Sequence, residues 1–221
     1  MSESEPVVLT AWQAKAVDVV AGMALAREIR FGGATALSAV HLQHRRSVDL
    51  DFFLPREVTE ADAVAMAHAL SSIAERLEVQ ELGPRWAITL LENGQESGHV
   101  DLTVRPFDPI DRPVKWRGLL VDSFTDMAVD KTQALLSRGR DRDFVDFLYL
   151  VTEGPERDVD RLLSLVRAKF DVGFNRYALA RRLLQVEHVP ELPEMIRPLT
   201  LAELQQRLTE IAKDILRGTA S

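Results

Sequence analysis

The sequence contains no cysteine. That excludes a disulfide framework and any thiolate metal site. No apolar run approaches the roughly 18 residues that a membrane span requires, so no membrane partner is expected. The first ten residues, MSESEPVVLT, are acidic and lack the basic-then-apolar layout of a signal peptide, and the expectation is a cytoplasmic protein. Positive charge is in deficit: 27 Lys and Arg against 34 Asp and Glu leave a net charge of −7. The broad basic footprint of a nucleic-acid-binding protein is therefore missing. Local basic clusters occur at His44-Arg45-Arg46, at Arg138, Arg140 and Arg142, and at Arg176, Arg181 and Arg182. Bulk charge does not exclude a nucleic-acid partner, but it gives no support for one. There is no internal repeat and no low-complexity tract.

What is present is an ordinary globular composition, 46% hydrophobic and 28% charged over 221 residues, which suits one large domain or two small ones. Apolar spacing predicts a helix over 10–27, with Thr10 as its N-cap. A short extended segment at 29–31 runs into Gly32-Gly33, and a helix is expected over 34–43. Residues 48–54 read as a strand ended by Pro55. Thr59 and Asp62 form an acidic capping box for the next helix. Strands follow at 77–82, 85–92 and 98–105, with Asn93-Gly94 as a turn signal. The three prolines of 106–113 mark a loop, and 119–121 suggests one more strand. From Ser123 onward the pattern is helical, over about 124–138, 141–152, 156–169, 174–186 and 199–217. The fold class is α+β: residues 1–122 form a small mixed-sheet core and 123–221 a helical C-terminal half.

Within the strand at 48–54 stand two acids, Asp49 and Asp51, in the run Val-Asp-Leu-Asp-Phe-Phe-Leu. Residues i and i+2 of a strand share a face, so the acids project side by side while Val48, Leu50 and Phe52 face the other way. Two carboxylates that close repel, and a divalent cation removes the conflict. All-oxygen ligands suit magnesium, with manganese as the other choice. The bland reading is an edge strand with solvated acids, but the strongly apolar neighbours argue against it. Asp101, in the apolar run HVDLTVR, supplies a third carboxylate if its strand lies beside 48–54. Three acids can hold two ions for in-line displacement at phosphorus. Gly32-Gly33 between a strand and a helix would form a phosphate cradle, although a plain turn is the commoner meaning of such a pair.

Gly-Gly, a short helix and then Ser-x-Asp-x-Asp is the layout of the DNA polymerase β-like nucleotidyltransferases. Within that superfamily, Gly32-Gly33, His44-Arg45-Arg46-Ser47 and Asp49-Leu-Asp51-Phe-Phe resemble the AbiEii/AbiGii toxin family of type IV toxin–antitoxin systems. Lys131, Arg138-Gly139 and Arg142-Asp143-Phe-Val-Asp146 resemble the family's downstream motif. The resemblance covers residues 29–150 well, and the helical tail only in general character. It implies a nucleotidyltransferase fold, Mg²⁺ (or Mn²⁺) and an NTP donor. The acceptor it implies is RNA, including the 3′ end of tRNA, and a cognate antitoxin is a possible partner. By residue match, Asp49 and Asp51 would be metal ligands, with Asp101 as the third acid and a base for the incoming hydroxyl. Gly32 and Gly33 would contact triphosphate, and Lys131 would neutralise its charge. One position departs from the pattern. A Ser or Thr usually follows the glycines and touches phosphate, but here Ala34 does, with Thr35 next. Either Thr35 serves from a shifted turn or phosphate is held more weakly.

The remaining candidates carry bland and functional readings side by side. His44, Arg45 and Arg46 are either a solvated loop or phosphate ligands; Arg46, next to Ser47 and the acids, is favoured, since arginine's planar fork suits phosphate. As a lone lysine, Lys131 would be a solvated helix residue. Asp143 suits a helix N-terminus. Asp146 lies deeper and would pair with an arginine or with Lys131. His99 reads as structural, having no second histidine nearby. The alternatives to RNA-directed transfer are a protein or small-molecule acceptor for the same acids, and a non-catalytic interaction module with this fold.

Overall fold

The computed structural model describes residues 8–218. The acidic segment read above as no signal peptide falls largely outside them. The chain divides into two compact units, Met1–Ser123 and Phe124–Ser221.

The first unit is built on one seven-stranded mixed sheet. In chain order its strands are β1 (Arg30–Gly32), β2 (Asp49–Leu54), β3 (Arg76–Leu82), β4 (Arg85–Glu92), β5 (Gln95–Val104), β6 (Val114–Trp116) and β7 (Leu119–Val121). Their spatial order is β3-β4-β5-β2-β1-β7-β6. β2 runs antiparallel to β1 and parallel to β5, and β7 runs parallel to β1. Alternation sorts the two faces. Leu50, Phe52 and Leu54 of β2 are fully buried, together with Phe31, Ile88, Val100 and Leu102 of its neighbours. Burying each such side chain contributes roughly 1.5–3 kcal/mol. This apolar face is covered by α1 (Ala11–Ala21), through Ala16, Val17 and Val20, and by α3 (Glu60–Leu70), through Ala63, Met66 and Leu70. Trp12 of α1 lies so close to Gly98 that a Cβ there would sit 2.9 Å from the indole. Both helices begin on complete capping boxes, Thr10 with Gln13 and Thr59 with Asp62.

Four details differ from the sequence expectations. The first helix stops at Ala21, because Gly22 weakens it and Met23 turns extended; a 3₁₀ turn over Ala24–Arg27 follows. The helix after the glycines is α-helical only over Gly33–Ala36 (α2) and then π-helical over Leu37–Leu42, closing on Gln43 with φ 50°. Val48 precedes β2 and is 68% exposed, so it does not join the apolar face. β6, which follows the proline-rich loop in the chain, is not expected from the sequence and pairs with β7. The Asn93-Gly94 turn forms as expected, with both residues at positive φ.

The second unit is helical: α4 (Phe124–Ser137), α5 (Asp141–Glu153), α6 (Val159–Phe170), α7 (Arg176–Leu184), a 3₁₀ turn (Gln185–His188) and α8 (Leu201–Arg217). α5 is buried almost all round, from Asp143 to Val151. α8 contributes Leu204, Leu208, Ala212 and Ile215 to the core.

Candidate active site

The register of β2 decides which side chains meet. Asp49 and Asp51 alternate with the buried Leu50 and Phe52, so both stand half-buried on the face opposite the core. β5 places Asp101 directly beside Asp51 and His99 beside Asp49. β1 places Gly32 on the other side of Asp51. Asp122 follows β7, and its amide donates to the Phe31 carbonyl at 3.1 Å. One row across the sheet therefore reads Asp122, Gly32, Asp51, Asp101.

Both glycines are required by close approach. At Gly33, with φ 69°, an added Cβ would enter the space of the Asp51 carboxylate. At Gly32 it would lie 2.7 Å from Asp122 Oδ2 and 2.7 Å from the Phe53 ring. The backbone of the glycine turn is thus pressed against one of the two strand acids, which a side chain would prevent.

Asp101 is 9% exposed and has basic partners. Arg85 Nη1 donates to its Oδ2 at 2.8 Å, and His99 Nε2 lies 3.2 Å from its Oδ1. Among the described residues, no three His, Asp or Glu side chains are grouped as a ready-made metal site. The donor set that suits a hard divalent ion is the Asp49–Asp51 pair, with Asp101 alongside but turned to Arg85 and His99.

Thr35 is 1% exposed, and its hydroxyl donates to the Asp49 carbonyl at 2.5 Å. It ties the glycine turn to the start of β2, and Ala34 beside it has no hydroxyl. Behind the turn, Ser38 Oγ donates to the Arg45 carbonyl at 2.5 Å and lies 3.1 Å from His44 Nδ1. His44 and Arg45 are buried, so the solvated-loop reading is corrected for both. Arg46 and Ser47 are half-buried; the Arg46 carbonyl accepts from Arg45 at 2.9 Å and the Ser47 carbonyl from Gln13 at 2.8 Å. Burial pulls the His41 pKa below its usual value, against the opposing pull of the Asp122 carbonyl 3.0 Å from its Nε2.

In the helical unit, Lys131 Nζ lies 2.8 Å from Asp146 Oδ2, and both are buried. Asp143 accepts from the Arg140 amide at 3.0 Å and from Arg138 at 3.1 Å, so it caps α5 and anchors an arginine. Of the two pairings expected for Asp146, the one with Lys131 is present.

Sequence reasoning did not single out Asp122, Arg85 or Arg105 and set His99 aside. For His99 the signal was available, since it stands two residues before Asp101 in the same alternation. For Asp122 and Arg85 only the strand register brings them to the site.

Paired acids on a mixed sheet, with a glycine turn against one of them, define a nucleotidyltransferase arrangement, and solved structures share the fold. JHP933 from Helicobacter pylori aligns over 94% of this chain and 90% of its own, with 14% identity and a TM-score of 0.57. The MenT4 nucleotidyltransferase toxin Rv2826c from Mycobacterium tuberculosis H37Rv aligns over 94% and 85%, with 17% identity and a TM-score of 0.52. No curated protein matches the sequence. The model of the nucleotidyl transferase AbiEii toxin family, type IV TA system, matches residues 22–221, and the chain belongs to that family. It is a nucleotidyltransferase.

Proposed function

We propose that the protein transfers a nucleoside monophosphate from an NTP to a hydroxyl of RNA, such as the 3′ end of a tRNA, with release of pyrophosphate. The observation that carries this reading is the placement of Asp49 and Asp51 on one half-buried face, with the Gly33 backbone held against Asp51. Asp49 and Asp51 would hold Mg²⁺ or Mn²⁺; such an ion, when bound, neutralises triphosphate charge and favours ionisation of the attacking hydroxyl. Gly32 and Gly33 let the triphosphate approach the backbone without a side chain in the way. Asp101, which lies beside Asp51 with its carboxylate held by Arg85 and His99, is the candidate for accepting the hydroxyl's proton. Lys131, its ammonium positioned by Asp146, is the candidate for neutralising phosphate. Thr35 acts through its bond to the Asp49 carbonyl, by fixing the turn against the strand.

The family is described as a toxin of a type IV toxin–antitoxin system, which supports our inference of a cytoplasmic site of action and a cognate antitoxin. No described helix is long and apolar enough to cross a membrane. The test is incubation of purified protein with each labelled NTP, Mg²⁺ and total RNA. Label in a ribonuclease-sensitive product supports the reading. Label in a protease-sensitive product moves the acceptor to protein, and no label with any of the four NTPs overturns the enzyme assignment for RNA.

A further inference from the structure

Ala34 leaves a question about the donor site. The hydroxyl that the resemblance expects after the glycines is missing, and that of Thr35 is buried on the Asp49 carbonyl. The same face of the sheet offers another means of holding phosphate. Arg30 pairs in register with Phe53, two residues from Gly32, so it stands on the face of Asp49 and Asp51. Arg105 follows β5, its amide held by the Leu54 carbonyl at 2.7 Å, and its guanidinium lies 3.4 Å above the Phe53 ring. Asp122, 2% exposed, sits between the two arginines: it pairs with Arg105, and its Oδ1 is 3.7 Å from Arg30 Nη1. This carboxylate lies against Gly32, in the row that continues to Asp51.

We propose that Arg105 and Arg30 bind the triphosphate tail of the NTP, in place of the hydroxyl that Ala34 lacks. The proposal rests on the nucleotidyltransferase reading and names the side chains that hold the donor. A guanidinium presents a planar fork that matches phosphate oxygens, and such charge-assisted bonds are among the strongest available to a side chain. Arg105 is already positioned by stacking on Phe53 and by its pair with Asp122, so little freedom is lost on binding. The two guanidinium groups share the Asp122 carboxylate beside the glycine turn, and Arg30 Nη2 also donates to the Phe107 carbonyl at 3.3 Å. Asp122 also explains why position 32 is glycine: the carboxylate that sets the arginines occupies the space a side chain would need.

The test is calorimetric titration of inorganic tripolyphosphate into the full-length protein in a chelating, low-salt buffer, without nucleotide or RNA. Arg105→Gln and Arg30→Gln are each expected to weaken binding about tenfold or more. Arg105→Lys, which keeps the charge and the pair with Asp122 but loses the fork, should fall between wild type and Arg105→Gln. It also covers the case in which Arg105→Gln does not fold. Arg117→Gln is the charge control, since Arg117 is exposed and paired with Asp18, and it should bind as wild type. Equal affinity in wild type, Arg30→Gln and either folded Arg105 variant would overturn the proposal, as would no binding by wild type. The two readings fail separately. RNA labelling by wild type with an unchanged NTP KM in Arg105→Lys and Arg30→Gln removes the phosphate site alone. Arginine-dependent tripolyphosphate binding without nucleotide transfer keeps the phosphate site and removes the activity.

Discussion

At Gly33 a single methyl group would enter the space filled by the Asp51 carboxylate, and the backbone there has φ 69°. Gly33→Ala therefore meets two obstacles. The left-handed conformation costs an L-residue about 1–2 kcal/mol, and Asp51 must be displaced from its place. The expected outcome is a folded protein with a modestly lower melting temperature and nucleotide transfer reduced at least about 100-fold, since sub-ångström positioning of reacting groups carries that much rate. Unchanged transfer would mean that the contact between turn and acid does not position the chemistry. Lys131 and Asp146 give the second residue-scale prediction. Removing one partner of a buried ion pair leaves the other charge uncompensated and costs about 3–5 kcal/mol. Lys131→Met should lower stability in urea by that order, and the double variant K131M/D146L should recover most of it. If the double variant is no more stable than Lys131→Met, Asp146 is compensated by other groups.

At the scale of elements, α3 carries a pH-dependent start. The hydrogen bond from Arg56 and the Thr59 cap hold the Asp62 carboxyl well below its usual range. A depressed carboxylate pKa contributes stability above its unfolded value and loses it as pH falls through the folded one. Asp62→Asn should therefore melt below wild type at neutral pH, and the difference should shrink steadily below about pH 4. A gap that stays constant down to pH 2 would show that the charge is not what matters. The same helix shows what a sequence discloses. Thr59 and Asp62 are only three residues apart, and the capping box was legible from spacing alone. So were the Asn93-Gly94 turn and the alternation that puts Asp49 and Asp51 on one face. The π-turn over Leu37–Leu42 was not legible, because nothing local distinguishes it from an α-helix; Ser38 holds it against Arg45 and His44 from outside. Nor was the short β6, whose pairing with β7 depends on where the proline-rich loop returns. The register Asp51 beside Asp101 was a condition the sequence could pose but not decide. Asp122 comes to the site through the pairing of β7 with β1, and Arg85 through that of β4 with β5.

For the molecule as a whole, the net charge of −7 and the proposed RNA acceptor are compatible only if contact is local. The polar face of the sheet shows how opposite charges are kept in one place. Asp101 is held by Arg85, and Asp122 by Arg105 and Arg30, while Asp49 and Asp51 share the outward strand face. Ion pairs thus flank the two acids proposed to hold the metal. The most direct measurement is transfer of label from NTP to RNA by wild type, Asp49→Asn and Asp51→Asn, each shown folded by its circular dichroism spectrum. The account predicts a ribonuclease-sensitive labelled product with wild type and about a 100- to 1,000-fold loss in both variants, the scale seen when a preorganised electrostatic group is removed. Labelling by folded Asp49→Asn and Asp51→Asn at the wild-type rate would contradict it.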